Sequence, residues 1–156
     1  MLLTGMSGTG KSSVLSKLQA RGFKTVDTDY GGWSEHVDIP GTASKEWLWR
    51  EDLMTRLLAT EDAEVLFVSG TVRNQAKFYG RFDHVVLLTA PVSVIIERLA
   101  RRTNNPYGTN PAELAEVLAQ KETVDPALRR GADVVIDTSV PLDEVVEKIL
   151  TSCRVR

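Results

Sequence analysis

The sequence predicts an α/β fold, a parallel sheet covered by helices on both faces. Three observations predict it. First, Gly5-Met6-Ser7-Gly8-Thr9-Gly10-Lys11-Ser12 fits the phosphate-binding pattern Gly-x4-Gly-Lys-Ser/Thr without a gap. A short apolar run, Met1-Leu2-Leu3-Thr4, precedes it and a helical stretch from Ser13 to Arg21 follows, which is the strand–loop–helix order the motif needs. Second, strand-like and helix-like runs alternate along the rest of the chain. Third, Val85-Val86-Leu87-Leu88 is apolar without alternation, as expected of a strand buried on both sides.

The 156 residues suit one domain with room for a proper core. Hydrophobic residues at 42% and charged residues at 26% are those of an ordinary globule. A net charge of −2 argues against an extended nucleic-acid surface. The single cysteine, Cys153, excludes an internal disulfide and a cysteine-rich metal site, and suits a reducing cytoplasm. No apolar run reaches membrane-spanning length, and no signal peptide is visible before the phosphate loop. The first strand is unusually short, which leaves open whether the start is trimmed. The expectation is a cytoplasmic protein acting on a small molecule, with no nucleic-acid or membrane partner, as a monomer or weak homodimer.

In chain order, Val14, Leu15 and Leu18 form the apolar stripe of the first helix, and Gly22 is placed to cap its end. Phe23 to Val26 reads as the second strand, running into Asp27-Thr28-Asp29. Residues 30 to 43 hold three glycines and a proline without periodicity and read as a loop. Ser44 is placed to cap a helix in which Trp47, Leu53, Met54, Leu57 and Leu58 keep near-helical spacing. Glu64 to Val68 is the third strand, followed by Ser69-Gly70 and a short helix near Arg73 to Tyr79. Asp83 to Thr89 is the fourth strand. Pro91 opens a helix whose Val92, Ile95, Ile96 and Leu99 share one face and whose Arg98, Arg101 and Arg102 share another. Thr103 to Thr109 is polar. Asn110-Pro111-Ala112-Glu113 has capping-box spacing and starts a helix carrying Leu114, Val117, Leu118 and Val124. Ala132 to Asp137 is the last strand. Leu142, Val145, Val146, Ile149 and Leu150 give a closing amphipathic helix.

The motif dictates a chemistry. Glycines let backbone N–H groups turn inward around an anion, and the following helix aims its positive end at it. The loop from Gly5 to Ser13 would cradle the phosphates, Lys11 would reach the outer ones, and the Ser12 hydroxyl would ligate Mg²⁺. A further carboxylate is needed to position the metal. Strand three ends in Ser69-Gly70, without an acid, so Asp27 and Asp29 are the candidates. Two apart in an extended segment, they can face the same side of the sheet edge, beside the loop. The alternative is that either merely caps the following turn. Arg98, Arg101 and Arg102 are either a solvated helix face or lid arginines preceding a polar segment; Arg102 lies nearest that segment. Trp47 is expected in the core, and Trp33, in a Gly-Gly-Trp loop just after Asp29, is expected to line an acceptor pocket. Arg50 and Arg56 either bind an anionic group of the acceptor or are surface charges. His36 and His84 have no metal-ligand partners and receive no role.

The phosphate loop, the Asp-x-Asp at residues 27–29, the Arg-rich helix before a polar segment and the closing Asp137-Thr138-Ser139-Val140-Pro141 resemble the small P-loop kinases related to adenylate kinase. Within them the chain is most similar to the shikimate kinase and gluconate kinase branch. The resemblance covers nearly the whole chain. It implies a three-layer P-loop NTPase fold with a five-stranded parallel sheet, a helical substrate-binding insert at about residues 30–60 and a short lid at about 103–112. It implies an ATP- and Mg²⁺-dependent kinase phosphorylating a small-molecule hydroxyl. Asp27 would then assist the metal and Asp29 would bind and orient the acceptor hydroxyl. Arg102 would act at the phosphates, Arg98 would face the adenine, and Arg73 would contact the acceptor, the alternative being that Arg73 is a surface residue. Shikimate kinases carry a Gly-rich run where only Gly70 stands here, which argues against shikimate itself. A nucleoside monophosphate kinase, or a nucleotide-sensing module without efficient turnover, are the rival readings.

Overall fold

The computed structural model describes residues 1–102 and 108–155. In chain order its elements are β1 (Leu2–Thr4), α1 (Lys11–Ala20), β2 (Lys24–Asp27), β3 (Ser34–Asp38), β4 (Lys45–Trp49), α2 (Glu51–Leu58), β5 (Leu66–Ser69), a 3₁₀ helix (Arg73–Arg81), β6 (Val85–Thr89), α3 (Val92–Ala100), α4 (Pro111–Thr123), α5 (Asp125–Gly131), β7 (Val134–Asp137) and α6 (Leu142–Ser152). Five strands pair in the order β2-β5-β1-β6-β7, and every pairing in that sheet is parallel. The strands are short, so each depends on its neighbours and on helices above and below. Alternation sorts their side chains. Leu3, Phe67, Val86, Leu88 and Ile136 pack with Val14, Leu15 and Leu18 of α1 and Val145, Val146 and Ile149 of α6. Leu2, Val68 and Val85 pack on the other face with Trp49, Met54, Leu57, Phe78 and Phe82. The result is the expected three layers.

Local signals read from the sequence are visible. The N–H groups of Gly22 and Phe23 return to the carbonyls of Gln19 and Leu18, closing α1 as a Schellman turn. Asn110 Oδ1 accepts from Glu113 N at 2.9 Å, so it caps α4. The Glu113 carboxylate does not complete a capping box; it accepts from the Gly108 N–H at 3.0 Å instead.

Two elements differ from expectation. The helix expected from Ser44 begins only at Glu51, and the segment before it is an antiparallel hairpin in which Ser34 pairs with Trp49 and His36 with Trp47. Lys45-Glu46-Trp47-Leu48-Trp49 alternates in exposure along the strand and is rich in β-forming aromatics, and Gly41 supplies the turn between the strands with a φ of +77°. The insert is therefore a hairpin followed by a helix. The helix expected to carry both Leu114 and Val124 is two helices, α4 and α5. Pro126 has no N–H to donate and crowds the preceding turn, so the chain restarts at Asp125. Of the lid expected at about 103–112, residues 103–107 lie outside the described residues. Among the described residues, no helix is long and apolar enough to cross a membrane.

Because all five strands of the large sheet run parallel, their C-terminal ends meet at one edge. The phosphate loop after β1, Thr28 and Asp29 after β2, Gly70 and Thr71 after β5, and Thr138 after β7 all gather there.

Candidate active site

Gly8 and Gly10 adopt φ values of +83° and +93°, a backbone path that side chains rarely follow. Gly5 is glycine for another reason: a Cβ there would stand 2.3 Å from the Leu88 carbonyl oxygen. Threonines latch the loop to its surroundings. Thr9 Oγ1 donates to Met6 O at 2.7 Å and Thr71 Oγ1 to Gly5 O at 2.6 Å. Thr138 Oγ1 donates to Thr9 O at 2.7 Å. The first turn of α1 carries no acidic residue and no side-chain cap, so its N–H groups and its positive end remain available to an anion.

Lys11 lies at the base of this cradle. Its Nζ donates to Gly5 O at 2.5 Å and to Met6 O at 3.2 Å. Burial lowers its pKa to about 8; Asp29 and Asp27 oppose the shift and Arg102 adds to it. The charges of both aspartates and of Arg102 thus act on one ammonium. Arg102 is itself half-buried, and desolvation lowers its pKa.

A cleft of about 590 Å³ opens over the loop. Its polar wall includes Ser12, Ser13, Asp29 and Arg102, and Val94, Val140, Leu142 and Val145 supply apolar surface. That apolar surface, contributed by α3 and α6 and the turn before α6, suits the flat face of a nucleotide base. The arginine face separates into three environments. Arg98 donates to Gly8 O at 3.3 Å, to Thr138 Oγ1 at 2.8 Å and to the Thr138 carbonyl. It is a clamp between the phosphate loop and the turn after β7, as well as part of the cleft wall. Arg101 is exposed and pairs with Glu97 one turn earlier at 2.9 Å. Arg102 faces the site.

The two aspartates also divide. Asp27 is partly buried, and desolvation raises its pKa from the ordinary aspartate value. Its Oδ1 accepts from Asp29 N at 3.1 Å, the turn bond foreseen as the alternative to a site role. The carboxylate nonetheless stands near enough to Lys11 for its charge to register. Asp29 is exposed in the cleft, and its Oδ1 accepts from the indole N–H of Trp47 at 3.0 Å. Among the described residues, no three His, Cys, Asp or Glu side chains gather as a metal cage. The donors that would fit Mg²⁺ are the exposed Ser12 hydroxyl and Asp27, a carboxylate short of compensating charge, with the nucleotide supplying the rest.

The tryptophans exchange places. Trp49, not Trp47, is the core residue, at 2% exposure, with its indole N–H on Thr28 Oγ1 at 2.9 Å. Trp47 is 36% exposed beside Asp29. Trp33 is half-buried and packs against the cluster around Trp49, rather than lining the cleft with Asp29. Arg73 is exposed and paired with Glu46 of the hairpin. Arg50 is exposed at the start of α2. Sequence reasoning thus missed Trp47 as the hydrogen-bond partner of Asp29 and Thr138 as a loop anchor. For Trp47 the signal was present, since alternation puts it on the same strand face as Trp49, which turns toward Thr28.

Fold and site together define a P-loop nucleotide-binding protein with kinase-like architecture. Residues 1–119 match the model of the AAA domain family, and the chain belongs to that family. A nucleotide-binding protein of Gluconacetobacter diazotrophicus is 31% identical over 140 residues, which are 89% of this chain and 37% of that protein. A nucleotide-binding protein of Thermosipho africanus is 26% identical over 140 residues, 89% of this chain and 48% of the relative. The chain spans about half the length, or less, of the curated relatives it matches. Among solved structures, a gluconokinase from Sinorhizobium meliloti 1021 superposes with a TM-score of 0.64 at 25% identity, covering 98% of this chain and 90% of that one. The resemblance to the shikimate and gluconate kinase branch is therefore carried by architecture as well as by motif.

Proposed function

We propose that this chain is an ATP- and Mg²⁺-dependent kinase that phosphorylates a hydroxyl of a small molecule. The observation that carries this reading is the meeting of Lys11, Arg102 and Asp29 at one cleft, with their charges coupled. Phosphoryl transfer needs the donor held, its charge neutralised and the acceptor oriented, and little covalent help. The loop N–H groups and Lys11 would hold the β- and γ-phosphates, and Arg102 would neutralise charge that develops on the transferring group. Ser12 and Asp27 would hold Mg²⁺, which when bound neutralises phosphate oxygens. Asp29 would accept the proton of the acceptor hydroxyl as its oxygen bonds to the γ-phosphorus and the bond to the ADP oxygen breaks.

A carboxylate at Asp29 favours a hydroxyl over a phosphate acceptor, because it would repel an incoming anion. That places a nucleoside monophosphate kinase second. A nucleotide-sensing module is supported by the name nucleotide-binding protein on the curated relatives. The test is an ADP-release screen over polyols, sugars, sugar acids, nucleosides and nucleoside monophosphates. With the acceptor found, Asp29→Asn should cut the transfer rate by roughly two orders of magnitude, the lower range of a positioned base. ATP affinity should hold. Tight ATP binding without transfer to any compound would favour the sensing module, and parental turnover by Asp29→Asn would remove the hydroxyl-kinase assignment.

A further inference from the structure

The hairpin formed by β3 and β4 stands outside the parallel sheet, yet it reaches Asp29 through one side chain. Trp47 donates its indole N–H to Asp29 Oδ1 at 3.0 Å. Among the described residues, that bond engages the carboxylate through Oδ1. The same indole packs against the His36 ring on the paired strand, with centroids 4.7 Å apart, so its orientation is fixed from the hairpin side. Trp49, two residues on, anchors the strand by burial and by its bond to Thr28, the residue between the two aspartates. Asn74 reinforces that anchor by accepting from Trp49 N at 3.1 Å and donating to Trp49 O at 3.0 Å. A rigid strand therefore presents a half-covered aromatic face next to an oriented carboxylate.

The charges around that face are informative. On the hairpin side that carries Trp47 and His36, Lys45 pairs with Asp38 at 3.6 Å. Arg73 pairs with Glu46, whose side chain alternates to the opposite face of β4. Asp27 and Asp29 add negative charge at the edge of the sheet. An anionic acceptor resting on Trp47 would lie against the Asp29 carboxylate, whereas a neutral ring would meet apolar indole surface and a hydrogen-bond acceptor.

We propose that Trp47 is the positioning residue for Asp29 and the platform of the acceptor site, and that the acceptor is a neutral ring bearing hydroxyl groups. In that arrangement the Trp47 N–H holds Oδ1, Oδ2 takes the reacting hydroxyl, and the ring's apolar face rests on the indole. A cyclic sugar or polyol and the ribose of a nucleoside share this chemistry. The inference rests on the kinase reading, through the role given to Asp29.

Two variants separate the two roles of Trp47. Trp47→Phe keeps an aromatic face and removes the donor; it should lower kcat by roughly ten- to a hundredfold, the worth of a hydrogen bond to a charged group, and change the acceptor KM little. Trp47→Ala removes both and should raise the acceptor KM as well. KM for ATP should stay within about twofold in both, a split that mere loss of structure would not give. A spectroscopic arm does not depend on turnover: Asp29→Asn should change the Trp47 emission, read as the difference between spectra with and without Trp47→Phe. The acceptor panel sets cyclic polyols and sugars, nucleosides and open-chain sugar acids side by side. Best turnover of a cyclic sugar or of a nucleoside supports the ring class and tells the two apart; best turnover of an open-chain acid overturns it. Parental kcat in Trp47→Phe overturns the positioning role. Failure of the kinase reading looks different, because the unsubstituted protein would then transfer to no acceptor and the proposal would fall with it.

Discussion

At the scale of the single residue, Lys11 is the group whose environment makes the sharpest statement. Its ammonium donates to the carbonyls of Gly5 and Met6, and burial holds its pKa at about 8 against an ordinary 10.5. A bound polyphosphate favours the charged form and would raise that pKa. Nucleotide binding should therefore take up protons at and above pH 8. At pH 8, where about half of the empty sites are neutral, the uptake should approach half a proton per nucleotide. Calorimetry in buffers of different ionisation heat measures this directly, and proton release, or none, would contradict it. The same lowered pKa means that the folded state binds fewer protons than the unfolded chain between about pH 8 and 10.5. Stability contributed by this group thus rises through that window, and at neutral pH the buried charge is a cost. Lys11→Met should accordingly abolish proton uptake and most of the nucleotide affinity while melting no earlier than the parent. A large loss of melting temperature would mean that the bonds to Gly5 and Met6 outweigh the burial penalty.

At the scale of the element, the hairpin depends on one glycine outside it. A Cβ on Gly70 would stand 2.2 Å from Thr28 Oγ1 and 3.1 Å from Trp49 Nε1, the two atoms whose bond fixes the hairpin to the strand edge. Gly70→Ala should cost about 1–3 kcal/mol, as overpacking of a close-fitted site does. It should also weaken acceptor use more than ATP binding, because β2 leads into Asp29 while the phosphate loop stands on β1. Denaturant unfolding and the two KM values check both halves; wild-type stability would mean that Thr28 can turn aside. The parallel sheet was legible because Val65 to Val68, Val85 to Leu88 and Val134 to Ile136 are continuous apolar runs and its first helix is announced by the phosphate loop. The hairpin was not. Trp47, Leu53, Met54, Leu57 and Leu58 satisfy a helical spacing that begins too early, and the short apolar run Trp47-Leu48-Trp49 fits a strand equally well. Trp47 and Trp49 share a face, and only a distant partner, Thr28, decides which of them is buried. The break before α5 was readable from Pro126 alone. The acceptor side stayed obscure for a similar reason: Arg73 looked available in sequence, while its partner Glu46 lies 27 positions away.

At the scale of the whole molecule, the parallel sheet gathers loops from distant parts of the sequence at one edge, and Arg98 binds two of them together. It stands on α3, holds Gly8 of the loop after β1, and holds Thr138 of the turn after β7. Thr138 in turn donates to the carbonyl of Thr9, so the three segments form one network across the sheet. A nucleotide lying in the cleft would touch the same segments through the phosphate loop, Val94 and Val140. Its binding energy should therefore appear as resistance to global unfolding rather than as local ordering. At a hundredfold excess over Kd a ligand confined to the native state adds about 2.7 kcal/mol. For a chain of this length that raises the melting temperature by roughly 5–10 °C. Arg98→Ala should lower the melting temperature of the empty protein, because the Thr138 carbonyl and the Gly8 oxygen lose a charged donor. It should also shrink the ATP-induced rise at the same nucleotide concentration, because the cradle is no longer held in register with the base wall. Differential scanning fluorimetry on both proteins, with and without ATP and Mg²⁺, gives four melting temperatures that separate the two effects. An equal ATP-induced rise in parent and variant would make Arg98 a brace for the fold alone, with no part in nucleotide binding.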